Sequence, residues 1–281
     1  MSAVLPPSPA PVSVPGPPSL RSAVLGFCID LLIAIGLLLL LSVAGFAVWG
    51  FLRSMGEVQA VRAQGGSPSP AAIMAAIGQP GVMVQLLIAL VSTATPAVLL
   101  YVWRRRATPA EQATSRAAIR RRSTWGWIAA VAAGVFMLSN LVSVLASALG
   151  IKPVPTNLPL MEEAIKQWPL ALVVFAVAIA PAYEELLFRR VLFGRLLAAG
   201  RPWLGVVLSS LTFALVHEVP GISGNGVVAI AQLWLVYGGM GAAFAWLYWR
   251  TGTLWAPILA HGINNATALA ALYFFGLGRP A

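Results

Sequence analysis

Ionisable side chains are scarce inside the long apolar blocks of this chain, and most of those present fall into three short motifs. Glu184 and Glu185 stand in Ala180-Pro181-Ala182-Tyr183-Glu184-Glu185-Leu186-Leu187-Phe188-Arg189. His217 ends Leu211–His217, four residues after Phe213, and His261 is followed by Asn265 one helical turn later. His217 and His261 are the chain's 2 histidines. An ionisable group at bilayer depth costs roughly 2.5–3.5 kcal/mol on insertion scales, so such groups face a bundle interior and mark function.

Spacing separates the two glutamates. Glu185 and Arg189 are four apart on one helical face and can pair, with the acid N-terminal to the base. Glu184 is rotated from them by about 100° and is left without that partner. One carboxylate is structural and the other is free to work. A carboxylate beside an imidazole can deprotonate a water. A second imidazole and a carboxamide can donate to a developing oxyanion. The set Glu184, His217 and His261 could instead hold a divalent metal such as zinc, with one position open. The sequence leaves both chemistries open. It holds no His-Glu-x-x-His pattern of soluble zinc proteases and no Gly-x-Ser-x-Gly nucleophile.

The elements that must position these residues are membrane helices. Of 281 residues, 59% are hydrophobic and only 9% charged, against about 25% charged in a soluble domain. Seven stretches reach or approach the roughly 20 apolar residues that cross a bilayer. They are Val24–Leu52, Gly81–Trp103, Trp125–Leu149, Pro169–Phe188, Trp203–Val216, Val227–Trp249 and Leu254–Phe275. The expected fold is all-α: a polytopic transmembrane bundle of about seven spans, give or take one, with the C-terminus outside unless a re-entrant segment near Gly221–Gly226 reverses it. Trp49, Trp103, Trp125, Trp168, Trp203, Trp249 and Trp255 fall near span ends, as an aromatic belt requires. Pro96, Pro181 and Pro257 fall inside spans.

Net charge is +10. Seven arginines lie between Arg104 and Arg122. In such a chain this is the positive-inside signal and not a nucleic-acid surface. It sets the N-terminus and the Arg189–Arg201 cluster in the cytoplasm, and the loops Arg53–Pro80 and Gly150–Trp168 outside. Cys28 is alone in the first span, so no disulfide forms within the chain. Asp30, near the inner end of that span, reads as a snorkelling or helix-start residue. Glu162, Glu163 and Lys166 read as a short amphipathic connector. Residues 1–20, rich in Pro and free of charged side chains, are expected to be disordered.

Depth supports one shared site. Glu184 lies 16 residues before Gly200, and His217 lies 15 after Pro202. At 1.5 Å per residue both stand about 23–25 Å from that turn, level in an antiparallel pair. His261 lies about 14 Å beyond the next turn at Gly252. It reaches the same level if the first hairpin protrudes.

Glu-Glu-x-x-x-Arg, Phe-x-x-x-His and His-x-x-x-Asn, in that order on successive helices, resemble the CAAX protease and bacteriocin-processing family, also called Abi. This family includes the type II CAAX prenyl endopeptidases. Gly252–His261 is similar to the context of the family's third motif. The resemblance divides the chain into a Pro-rich N-terminus (1–20), two additional spans with an Arg-rich cytoplasmic loop (21–124), and a protease-like core (125–275). It implies that Glu184 activates water with help from His217, and that His261 and Asn265 stabilise the oxyanion. Glu185, Arg189 and Phe213 would support them. Its members are called metalloproteases, although the need for a metal is disputed. The implied activity is an intramembrane endopeptidase in a bacterial cell membrane, acting on a peptide or protein substrate that can carry a lipid. The alternative is a non-catalytic scaffold or bacteriocin-immunity protein of the same fold.

Overall fold

A computed structural model describes Gly16 and residues 18–275. Most of the segment expected to be disordered lies outside the described residues. Every regular element described is a helix. They are α1 (Leu20–Ala63), α2 (Pro70–Ile77), α3 (Val82–Arg104), α4 (Pro109–Ile119), α5 (Arg122–Ala148), α6 (Leu158–Gln167), α7 (Pro169–Ala198), α8 (Pro202–His217), α9 (Val227–Thr251) and α10 (Trp255–Phe275). Five of them, α1, α3, α5, α7 and α9, are long and apolar enough to cross a membrane, and α8 is a shorter apolar helix. The chain is a helical membrane bundle. Each of the seven expected spans has a helix at its place, although α8 has only 16 residues.

Local chemistry sets the boundaries. Ser19 caps α1 by accepting from the Ser22 amide. Thr108 and Glu111 form a reciprocal capping box at the start of α4. Pro stands in the first turn of α7 and of α8, where its missing N–H costs nothing. Gly252, at φ 69°, ends α9 in the left-handed conformation that a side chain would strain.

α1 corrects the sequence reading. Its 44 residues give a rod of about 66 Å, twice a bilayer core of about 30 Å. The segment after Leu52 is therefore largely helical, and α2 adds a short helix before Pro80.

α8 lies along α9, α1 along α3, and α5 against α9 and α10, with α7 inside the group. Phe213, Leu192, Phe244 and Leu247 are fully buried at the centre. Small residues bring the helices close. A Cβ on Gly241 would sit 3.1 Å from the Ser210 Cα, and one on Gly262 would sit 2.5 Å from the Val177 carbonyl oxygen.

α7 is wound irregularly. Residues Phe175–Ile179 and Leu186–Phe193 adopt π-helical turns on either side of an α-helical segment that holds both glutamates. Such turns are rare and concentrate at functional sites. The sequence does not announce them: Pro181, the local disruptor, sits in the α-helical part.

Asp30 also requires correction. It is fully buried, ten residues beyond the start of α1, and pairs with Arg104 of α3 and Arg195 of α7. A buried carboxylate needs such partners, because losing its hydration without compensation would be prohibitive. It is an internal ionic joint, neither snorkelling nor starting a helix.

Candidate functional site

Three of the four residues singled out for chemistry meet around one oxygen. Oε2 of Glu184 lies 3.7 Å from Nε2 of His217 and 3.9 Å from Nε2 of His261. α7 supplies the glutamate, the C-terminal residue of α8 supplies one imidazole, and α10 supplies the other. The level expected from counting turns is where they meet.

The partners of each ring fix its tautomer. Nδ1 of His217 is 2.7 Å from the Phe213 carbonyl oxygen, one turn back on the same helix. A carbonyl only accepts, so Nδ1 carries the proton. Nδ1 of His261 donates to Oε1 of Glu185 at 2.9 Å. In both neutral rings the lone pair is therefore on Nε2, the atom that faces Glu184. Glu184 Oε2 is buried and receives no hydrogen bond from any described residue. Three acceptors thus face one another without a donor between them. Their separations exceed direct hydrogen bonding and suit a bridging water.

Glu185 does more than the sequence suggests. Besides holding His261, it lies 2.8 Å from Nε of Arg189, and both side chains are wholly buried. The Arg189 guanidinium is surrounded by the rings of Phe188, Phe213 and Phe244, with its centre 5.0–5.8 Å from their centroids. Phe213 also stacks on His217 at 4.2 Å, and Phe244 on His261 at 5.0 Å. These aromatic faces favour a desolvated cation and hold both imidazoles. Phe213 thus contacts the arginine and the histidine that its motif brings together.

Asn265 lies a turn beyond His261. Its Nδ2 donates to the Ala176 carbonyl at 2.9 Å, in the first π-helical stretch of α7. Gly262, between the two, presses on the Val177 carbonyl oxygen. α10 is thereby held close to the first π-helical stretch of α7 just beyond His261.

Several supporting residues were not found from the sequence. Glu218, adjacent to His217, is fully buried. It accepts from Thr156 Oγ1 at 2.7 Å and from Asn225 Nδ2 at 2.9 Å, while Trp234 Nε1 donates to its carbonyl at 2.8 Å. Asn225 also binds the Val154 backbone through both its amide atoms. This clasp joins the loops before α6 and before α9 at the end of α8. A charge directly after a histidine was the available signal, but its partners are 62 and 7 residues distant.

Similarity to known proteins falls on this part of the chain. Residues 166–267 match the family of Rce1-like type II CAAX prenyl endopeptidases. The resemblance drawn from the three motifs is borne out over this stretch, which contains every residue of the Glu184 cluster. The chain is 32% identical over 116 residues to the "Putative membrane peptidase YdiL" of Bacillus subtilis (strain 168), across 41% of this chain and 43% of that protein. The alignment thus spans less than half of the curated relative. No solved structure matches the chain. The helices α1 to α5 lie before the Rce1-like segment.

A metal is chemically compatible with the cluster. One carboxylate oxygen and two imidazole lone pairs form a familiar zinc donor set, and the orphaned Glu184 oxygen calls for a cation or a donor. The three groups are nonetheless spread more widely than a closed centre. No group of three or more His, Cys, Asp and Glu among the described residues is drawn into metal-holding geometry.

Proposed function

We propose that this protein is an intramembrane endopeptidase of the CAAX-protease type, in which Glu184 activates a water against a peptide bond near the membrane surface. The reading rests on one observation: Oε2 of Glu184 faces the Nε2 lone pairs of His217 and His261 at 3.7 and 3.9 Å in a lipid-embedded bundle.

In this reading a water bridges Glu184 and His217 and gives its proton to the carboxylate as it attacks. General-base assistance of this kind is worth about 10²–10⁴-fold. His261, entering the reaction with a second proton taken from solvent at Nε2, and Asn265, which keeps a second N–H beyond the one given to Ala176, donate to the oxyanion. The leaving amine takes its proton from Glu184. Glu185 holds the Nδ1–H of His261 and so aims Nε2 at the site, Arg189 neutralises Glu185, and Phe213 orders His217 and Arg189. When bound by Glu184, His217 and His261, a divalent metal such as zinc would act as a Lewis acid and sharpen the nucleophilicity of water.

The substrate in this reading is a peptide or protein that can carry a lipid. The protein sits in a bacterial cell membrane with its N-terminus in the cytoplasm, on the side of the arginines. The test is cleavage of membrane-anchored peptides by purified protein and by Glu184→Ala. Turnover by the natural chain that Glu184→Ala abolishes supports the reading. Equal turnover by both removes it, and no turnover by either favours a scaffold or immunity protein.

A further inference from the structure

Asp30 belongs to α1, far from the Rce1-like segment, yet it is the fully buried partner of Arg195 at the far end of α7. Arg104 of α3 holds its other oxygen. Space is made for the contact: Gly26, one turn before Asp30, lies where any Cβ would come within 2.8 Å of the Arg195 guanidinium. α1, α3 and α7 are thus tied at one carboxylate, and two further bonds tie the same end of α7. Arg105 donates to the Gly194 carbonyl at 2.9 Å, and Arg190 donates to the Arg105 carbonyl at 3.0 Å.

The place of this joint gives it meaning. Between Glu185 and Arg195 lies the π-helical run Leu186–Phe193. A π-helix pairs each N–H with the carbonyl five residues back and is intrinsically less favoured than α-winding. Relaxation of those eight residues to α-helix would turn and shift one end of α7 relative to the other. At the site end, Glu185–His261 and the aromatic cage of Arg189 hold the helix. The opposite end must be fixed as well, or the helix can rewind and carry Glu184 out of register with the two histidines. We propose that Asp30 is a positioning residue for the Glu184 site: by gripping Arg195 it stores the π-helical winding of α7 that aims Glu184 at His217 and His261. α1 and α3, both outside the matched segment, are then part of the machinery. This inference rests on the peptidase reading for its effect on turnover, though not for its effect on α7.

The test uses full-length protein and two variants. Asp30→Asn leaves two arginines around a neutral group and can fail to fold. Asp30→Asn with Arg195→Gln removes both charges and leaves the partly exposed Arg104 free to reach water. Amide hydrogen exchange over residues 184–195 is compared with exchange in α5, and kcat and KM are measured on a cleaved peptide. The expected result for the double variant is exchange about tenfold faster across 184–195 with α5 unchanged. kcat falls about 10²-fold, the cost of a misplacement near 1 Å, while KM moves less than about threefold. Unchanged exchange in α7, or a kcat equal to that of the natural chain, overturns the proposal. If the natural chain cleaves nothing, the peptidase reading fails by itself, and the exchange arm alone decides whether Asp30 holds α7.

Discussion

The Nδ1–H of His261 donates to Oε1 of Glu185 at 2.9 Å, and neither side chain is more than 3% exposed. Glu185 is thereby committed twice, once to the ring that faces Glu184 and once to Arg189. Replacing it with Gln keeps the shape and removes the charge. A buried guanidinium without its counter-ion costs about 3–5 kcal/mol, and the ring loses a fixed tautomer. Glu185→Gln is expected to lower stability in detergent by that order and kcat by about 10²-fold. Chemical denaturation and a peptide assay check the two effects separately.

Gly262 supplies a cleaner packing test. A Cβ there would lie 2.5 Å from the Val177 carbonyl oxygen, a backbone atom that cannot swing away. Gly262→Ala should cost about 1–3 kcal/mol by overpacking. Gly134 of α5 has nothing within 4 Å of its Cβ position. Gly134→Ala should leave stability unchanged or raise it by up to about 1 kcal/mol. Thermal unfolding of the two variants side by side measures the contrast, and equal midpoints would remove the role given to α7–α10 contact.

Much of this arrangement was legible in the sequence. Apolar runs of span length gave the helices, and counting turns from Gly200 brought Glu184 and His217 to one level because helical rise is nearly invariant. The Glu185–Arg189 pair followed from their four-residue spacing. What could not be read depends on contacts between distant segments. Glu185 reaches His261 across 76 residues, and Asp30 reaches Arg195 across 165. The π-helical winding of α7 has no composition of its own, since Leu186–Phe193, with Arg189 and Arg190 in it, reads as the cytoplasmic end of an ordinary span. Asp30 was the visible clue: a lone acid in a span needs a buried cation, and Arg104 and Arg195 stand at span ends on the same side.

Glu111 gives a pH prediction outside the membrane. Arg190 grips its carboxylate with two hydrogen bonds of 2.8 Å, and this pairing holds its pKa down to about 2 from 4.5. A depressed carboxylate stabilises the fold above its unfolded pKa and loses that contribution as pH falls through its folded value. The stability gap between the natural chain and Glu111→Gln should therefore be constant above about pH 5 and close between about pH 4.5 and 2. The carboxylate is 46% exposed, so the gap is small, about 0.2–1 kcal/mol. A gap that widens on acidification would contradict the pairing.

The central claim is that Glu184 and His217 act together on one water, and a double-variant cycle of kcat tests it most directly. The measurement compares Glu184→Gln, His217→Ala and the two combined, on one peptide at one pH. Groups that serve a single step are non-additive, so the combined variant should be no more than about threefold slower than the worse single one, each single falling at least about 10²-fold. Losses that multiply independently, or single variants as fast as the natural chain, would contradict it.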